Sequence, residues 1–158
     1  MTQETTTAVR LSVTVPLSRE RAFELFVDEH GSWWPPDSHH LSEGPATPFI
    51  EPREGGRWYE RAEDGSECEW GRVLACEPPE RIVFAWQLLP DFTFDPDPAK
   101  QTEVEVTFEP AGEGFTRVTL EHRGFEVHGE QGAAMRESVG SEGGWPELLA
   151  LYEAAASP

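Results

Sequence analysis

Apolar and polar residues alternate from Ala8 to Val15, with Val9, Leu11, Val13 and Val15 on one side of a period of two. That period marks a half-buried strand, and Pro16 ends it. Ser18 is then a good N-cap for a short helix whose apolar side carries Ala22, Phe23, Leu25 and Phe26. The segment His30 to Pro36, HGSWWPP, ends helical structure at its double proline, and His39 to Pro48 reads as a loop rich in Pro, Gly and Ser. From Phe49 to Trp86 the chain reads as three or four strands in series. Gly55-Gly56 opens the second, Asp64-Gly65 marks a tight turn, and Pro78-Pro79 closes a long strand before Arg81 to Trp86 runs back. Leu89 to Gln101, with three Pro and three Asp, reads as a long exposed connection. Two more strands follow, Glu103 to Phe108 and Phe115 to His122, joined by a turn at Ala111 to Gly114. Alternation puts Val118, Leu120 and His122 on one face. Gln131 to Val139 fits a short helix. Beyond Gly140, Gly143 and Gly144, the positions of Trp145, Leu148, Leu149 and Tyr152 at i, i+3, i+4 and i+7 predict a last helix that starts near Pro146.

The predicted order is one strand, two short helices, six strands and a final helix. This is an α+β chain whose curved antiparallel sheet of six or seven strands wraps around the helix that carries Trp145. At 158 residues one domain is expected, spanning 1–158 with its ordered core at about 8–155. The aromatic content of 11% is globular. No run reaches the roughly 18 apolar residues of a membrane span. The polar, Thr-rich start has no basic region followed by an apolar core, so a cytoplasmic location is expected.

Charge narrows the partners. The net charge is −18, with 30 acidic residues against 12 basic ones, and Lys100 is the single lysine. Phosphate backbones and anionic lipid surfaces are repelled by such a chain, so neither nucleic acid nor a membrane is an expected partner. Solubility is the plain reading of the charge, and adaptation to high salt the sharper one. Cys68 and Cys76 fall on one predicted strand. Eight residues of strand span about 26 Å, whereas a disulfide needs Cα atoms within about 7 Å. No bridge between them is expected, and both read as thiols in a reducing compartment.

Candidate chemistry is sparse. His39-His40 lie in a loop without metal-ligand spacing and read as solvated. His122 is an inward histidine at a strand end, either a hydrogen-bonded core residue or a group that orients or protonates a ligand. Glu60, Arg61, Glu69 and Arg72 form cross-strand ion pairs or, where one faces inward, a polar anchor in an apolar pocket. Alternation leaves their facing open. There is no phosphate-binding loop and no dinucleotide fingerprint. Gly140 to Gly144, GSEGG, misses a nucleophile elbow because Val139 stands at the first glycine.

The stretches PLSRERAFELF (Pro16 to Phe26), Trp33-Trp34-Pro35, FIEPREGG (Phe49 to Gly56), Asp64-Gly65, GRVLACEPP (Gly71 to Pro79), RIVFAW (Arg81 to Trp86) and Gly144-Trp145 carry a resemblance over roughly residues 8 to 155. The chain resembles the START-like, or birch-pollen-allergen-like, superfamily. Within it, the chain is similar to the bacterial branch related to the C-terminal domain of the heat-shock-protein-90 ATPase activator. The resemblance implies the helix-grip fold and a cavity between sheet and C-terminal helix. A small apolar ligand, aromatic or lipid-like, is then expected there, lined by Trp33, Trp34, Phe49, Trp58, Trp70, Phe84, Trp86, Phe108, His122, Trp145 and Leu149. A filled aromatic core is the competing reading of the same residues. Two further functions stay open: a cyclase or hydrolase with His122 or an inward carboxylate as acid–base, and a module that regulates a chaperone ATPase. No cofactor or metal is expected. A homodimer is, because long antiparallel strands leave edges that need cover.

Overall fold

The computed structural model describes residues 8–35, 44–89 and 93–157. Its strands are β1 (Val9–Val15), β2 (Ala46–Ile50), β3 (Arg57–Ala62), β4 (Glu67–Glu77), β5 (Arg81–Trp86), β6 (Thr102–Pro110) and β7 (Thr116–Arg123). Its helices are α1 (Arg19–Val27), α2 (His30–Trp33), α3 (Glu130–Val139) and α4 (Trp145–Ala156). All seven strands form one antiparallel sheet in the order β1-β7-β6-β5-β4-β3-β2. The first strand closes beside the last, so β1 and β2 are the two edges. The predicted α+β arrangement of a curled sheet gripping a C-terminal helix is what the chain adopts.

Local chemistry sets the helices. Ser18 caps α1 by accepting the Arg21 N–H at 3.1 Å, as its position predicts. The buried face of α1 is Ala22, Phe23, Leu25, Phe26 and Val27. Helix α4 buries Trp145, Leu148, Leu149, Tyr152 and Ala156, the predicted spacing carried one turn further. The Tyr152 hydroxyl donates to the Ala22 carbonyl at 2.8 Å and ties α4 to α1 across the concave face.

Strand β4 bends the sheet. Its register with β3 shifts at Trp58/Tyr59, and its register with β5 shifts between Val73 and Ala75. Trp70 and Leu74 are therefore extra residues on β4, and such bulges add twist and curl. Between them, Gly71 faces the β5 backbone so closely that a Cβ would stand 1.8 Å from the Ala85 carbonyl oxygen. No residue with a side chain fits there.

The arginines pair on the outer face. Arg123 reaches Glu105 at 2.7 Å and Glu103 at 3.1 Å, Arg81 reaches Glu105 at 2.9 Å, and Arg57 bridges Glu51 and Glu67. Of the four residues with open facing, Arg61 pairs with Glu67 and Arg72 with Glu69. Glu60 turns inward and is wholly buried.

Some boundaries move. Strand β2 starts at Ala46, inside the stretch expected to be a loop. The expected exposed connection after β5 is partly tied down: Leu88 bridges Phe94, and the Asp95 N–H donates to the Gln87 carbonyl at 2.9 Å. Cys68 and Cys76 share β4, are half-buried and form no disulfide. His39 and His40 lie outside the described residues.

Candidate functional site

Five indoles close a circuit on the concave face. Trp34 follows α2, Trp58 is on β3, Trp70 on β4, Trp86 ends β5 and Trp145 starts α4. Ring centroids are 5.2 Å apart for Trp34–Trp70, 5.5 Å for Trp70–Trp58, 5.7 Å for Trp58–Trp86, 5.8 Å for Trp86–Trp145 and 6.2 Å for Trp145–Trp34. All five rings are buried. Most of the contacts are tilted or edge-to-face, the arrangements that the ring quadrupole favours. Three sheet strands and two helical segments thus contribute to one cluster of packed rings, and Trp58 stands between Trp70 and Trp86.

The polar atoms of this apolar enclosure decide its chemistry. An indole N–H only donates, so each hydrogen bond it makes fixes its partner's role. Trp58 donates to His30 Nε2 at 3.2 Å. His30 therefore carries its proton on Nδ1, which donates to the Phe26 carbonyl at 2.9 Å. Trp145 donates to His122 Nδ1 at 3.0 Å. The His122 proton is then on Nε2, which donates to the Thr102 hydroxyl at 2.8 Å. The two imidazoles are opposite tautomers, each fixed from both sides. Burial holds both pKa values down at about 3, and for His122 the nearby His128 adds to the effect. Both rings are neutral at pH 7, and both are positioning residues for indoles.

Two groups stand out from this pattern. Trp70 donates to Glu60 Oε1 at 2.7 Å, so its acceptor is a wholly buried carboxyl group. Trp86 Nε1 is buried with no acceptor, the one indole nitrogen in that condition among the described residues. A buried donor left unpaired costs about 1–3 kcal/mol.

The predicted lining residues divide. Trp33, Trp34, Trp58, Trp70, Trp86, His122 and Trp145 come together, and Phe84 stacks on Trp58 at 4.6 Å. Leu149 is buried one turn after Trp145 on α4. Phe108 lies under α1 against Phe23 at 5.2 Å and joins the cluster through Phe26 and Trp33. Phe49 stands apart: it is 36% exposed and packs on Tyr59, with the Arg61 guanidinium over its ring. His30 was not among the expected lining residues, whereas Glu60 was one of the four polar residues with open facing and is the one that turns inward. His30 opens α2 just after α1 ends, and its ring turns back to the Phe26 carbonyl near the end of α1. Glu60 follows Trp58 by two residues on a strand, which gives them a common face. As an acid–base group His122 is unsuited, since both its nitrogens are engaged and its pKa lies far below neutrality. Among the described residues no group of three or more His, Cys, Asp or Glu is placed to hold a metal ion, and no helix is long and apolar enough to cross a membrane.

Comparison with known proteins agrees with this fold. Among solved structures the chain is similar to the anthrahydroquino-gamma-pyrone synthase Txn09, at 36% identity and TM-score 0.65, over 97% of this chain and 99% of that one. It is also similar to the self-sacrificing resistance protein CalC from Micromonospora echinospora, at 28% identity and TM-score 0.63, over 96% and 94% of the two chains. CalU16 from the same organism shares the fold at 22% identity and TM-score 0.60, over 96% of this chain and 76% of its own. No curated protein sequence matches. Residues 16–155 match the family described as activator of Hsp90 ATPase homolog 1-like protein, and the chain belongs to that family.

Proposed function

We propose that this protein binds a flat polycyclic aromatic molecule between the sheet and α4, within the indole circuit. The observation that carries the reading is the buried N–H of Trp86 without an acceptor. A ligand carbonyl there would satisfy it. Indole faces on several sides suit a flat ring system better than a flexible acyl chain, because stacking adds about 0.5–1.5 kcal/mol per aromatic pair beyond burial. Ligand entry would exchange indole–indole contacts for indole–ligand ones, with Trp34 and Trp145 on one side and Trp58, Trp70 and Trp86 on the other. Similarity to a pyrone synthase at 36% identity supports a fused-ring ligand.

Titration with anthraquinone tests the reading. Saturable quenching of tryptophan emission is expected. Trp86→Phe keeps an aromatic ring and removes the donor, so affinity should fall by about 1 kcal/mol, or roughly fivefold, with little change in melting temperature. A folded protein that shows no saturable binding to anthraquinone refutes the proposal. A second reading, an aromatic cyclase, is favoured by the buried Glu60 carboxyl and by the same synthase relative. Turnover of a linear polyketide-like precursor, lost in Glu60→Gln with binding retained, would distinguish it from a carrier.

A further inference from the structure

We propose that His128 is a second polar contact for the ligand: its unpartnered ring nitrogen takes a hydroxyl group of the molecule whose carbonyl Trp86 holds. The site then selects ring systems that carry a hydroxyl as well as a carbonyl. The proposal rests on the aromatic-binding reading above and adds to it a specificity residue and a substrate class.

The chain brings His128 to the indole circuit. It closes the 3₁₀ turn Phe125–His128, which follows β7. In such a turn, side chains three residues apart eclipse, so His128 lies on the side of the turn that carries Phe125. Phe125 is wholly buried, and its ring packs on His122 at 4.6 Å. His122 in turn packs on Trp86 at 4.9 Å. His128 is also near enough to His122 to help lower its pKa.

Hydrogen bonding then separates the imidazoles of this region. His30 and His122 have both ring nitrogens engaged. His128 Nε2 is buried with no partner. Burial also holds the His128 pKa below the usual imidazole value, so the ring is neutral near pH 7. A neutral imidazole nitrogen accepts in one tautomer and donates in the other. A hydroxyl does both and meets either form. Two other buried side-chain atoms lack a partner among the described residues, Trp86 Nε1 and Gln87 Oε1. Gln87 belongs elsewhere. It follows Trp86 by one residue, which turns it to the opposite face of the strand, and its amide nitrogen donates to Gln101 at 3.3 Å and to the Pro96 carbonyl at 3.5 Å. Trp86 and His128 remain, an indole donor and an imidazole grouped around His122. A hydrocarbon or an acyl chain has no group to meet either one.

The test compares 2-(hydroxymethyl)anthraquinone with 2-ethylanthraquinone, by calorimetry and tryptophan quenching. The two match in size, differ in one hydroxyl and carry no group that ionises near pH 7. Burial alone favours the ethyl compound, because a hydroxyl taken from water without a partner is costly. Wild-type protein should instead prefer the hydroxymethyl compound by about fivefold, the range of one hydrogen bond. His128→Phe keeps a ring and removes both nitrogens. It should bind the ethyl compound within about twofold of wild type and lose the preference. His128→Leu repeats the comparison where the Phe variant folds poorly. Equal binding by wild-type protein, or a preference for the ethyl compound, overturns the proposal and leaves aromatic binding intact. Retention of the hydroxyl preference in either folded variant also overturns it. Failure of wild type to bind either compound removes the aromatic-binding reading, and the proposal with it.

Discussion

Lowering the pH from about 7 to about 5 should destabilise this protein through His30 and His122, before its carboxylates begin to matter. Each imidazole is fully buried and accepts an indole N–H on its unprotonated nitrogen. Protonation would place two donors nose to nose and charge a low-dielectric interior. Both folded pKa values are about 3, against 6.5 unfolded. The sign follows from those values. The unfolded chain takes up protons as pH falls through 6.5, the folded chain does not, and stability is lost progressively down to about pH 3. Each histidine then costs about 2 kcal/mol between about pH 7 and pH 5, and the pair about 4 kcal/mol. That is a large share of the roughly 5–15 kcal/mol that holds a domain together. The hydrogen-bonded carboxylates Glu51 and Glu67 also have depressed pKa values, but their contribution is lost only as pH falls below the unfolded carboxylate value of 4.5. His128 shifts the same way as the buried pair through its own burial and adds to the loss. Urea unfolding at the two pH values, with salt at about 0.5 M to suppress general charge effects, measures the difference. His30→Gln and His122→Gln should each remove about half of it. A free energy of unfolding that is flat over this interval refutes the reasoning.

Other outcomes follow from single contacts. Gly71→Ala forces a Cβ to 1.8 Å from the Ala85 carbonyl oxygen, so stability should drop by about 3–4 kcal/mol in chemical denaturation. Tyr152→Phe removes the bond to the Ala22 carbonyl and should cost about 1–2 kcal/mol in the same assay. The net charge of −18 predicts a melting temperature that rises with sodium chloride toward about 1 M, because self-repulsion outweighs the outer-face ion pairs that salt also weakens. A falling melting temperature would show the pairs to be the larger effect.

Periodicity was enough for the fold and too coarse for the site. The alternation of Val9, Leu11, Val13 and Val15 and the helical spacing of Trp145, Leu148, Leu149 and Tyr152 each report one element's buried side, and both elements appear where expected. Facing failed where the ladder is irregular. The extra residues Trp70 and Leu74 on β4 break the period of two, so strict alternation cannot follow that strand. Phe49 and Tyr59 sit opposite each other on the outer face, where aromatic rings pack under arginine side chains rather than in the core. Residue counting sees only an aromatic and cannot tell the two faces apart. His122 was expected to face inward, but its partners, and His30 altogether, were hidden for another reason. Their roles come from hydrogen bonds that span 28 residues for Trp58 to His30 and 23 for Trp145 to His122. A sequence window shorter than a domain does not bring such partners together.

The choice of acceptors bears on how the site would meet a ligand. Trp58 and Trp145 could have been satisfied by carboxylates, but that would gather anions inside a chain already at −18. Imidazoles with pKa values of about 3 accept the same N–H bonds without charge over the whole neutral range. They hold two of the five indoles in place and contribute no titration of their own near pH 7. Glu60, which accepts from Trp70, is the one wholly buried residue of acidic type among those described. Near neutral pH a ligand would therefore meet the unpaired N–H dipole of Trp86 beside the uncharged His122 imidazole. Between about pH 6.5 and pH 8, any pH dependence of affinity should follow the ligand's own ionisable groups and be absent for a ligand without one. Binding of 2,6-dihydroxyanthraquinone across that range, set beside anthraquinone, separates these cases. A dependence shared by both compounds and abolished in His122→Gln would place a titrating imidazole in the site and contradict the neutral, doubly held geometry.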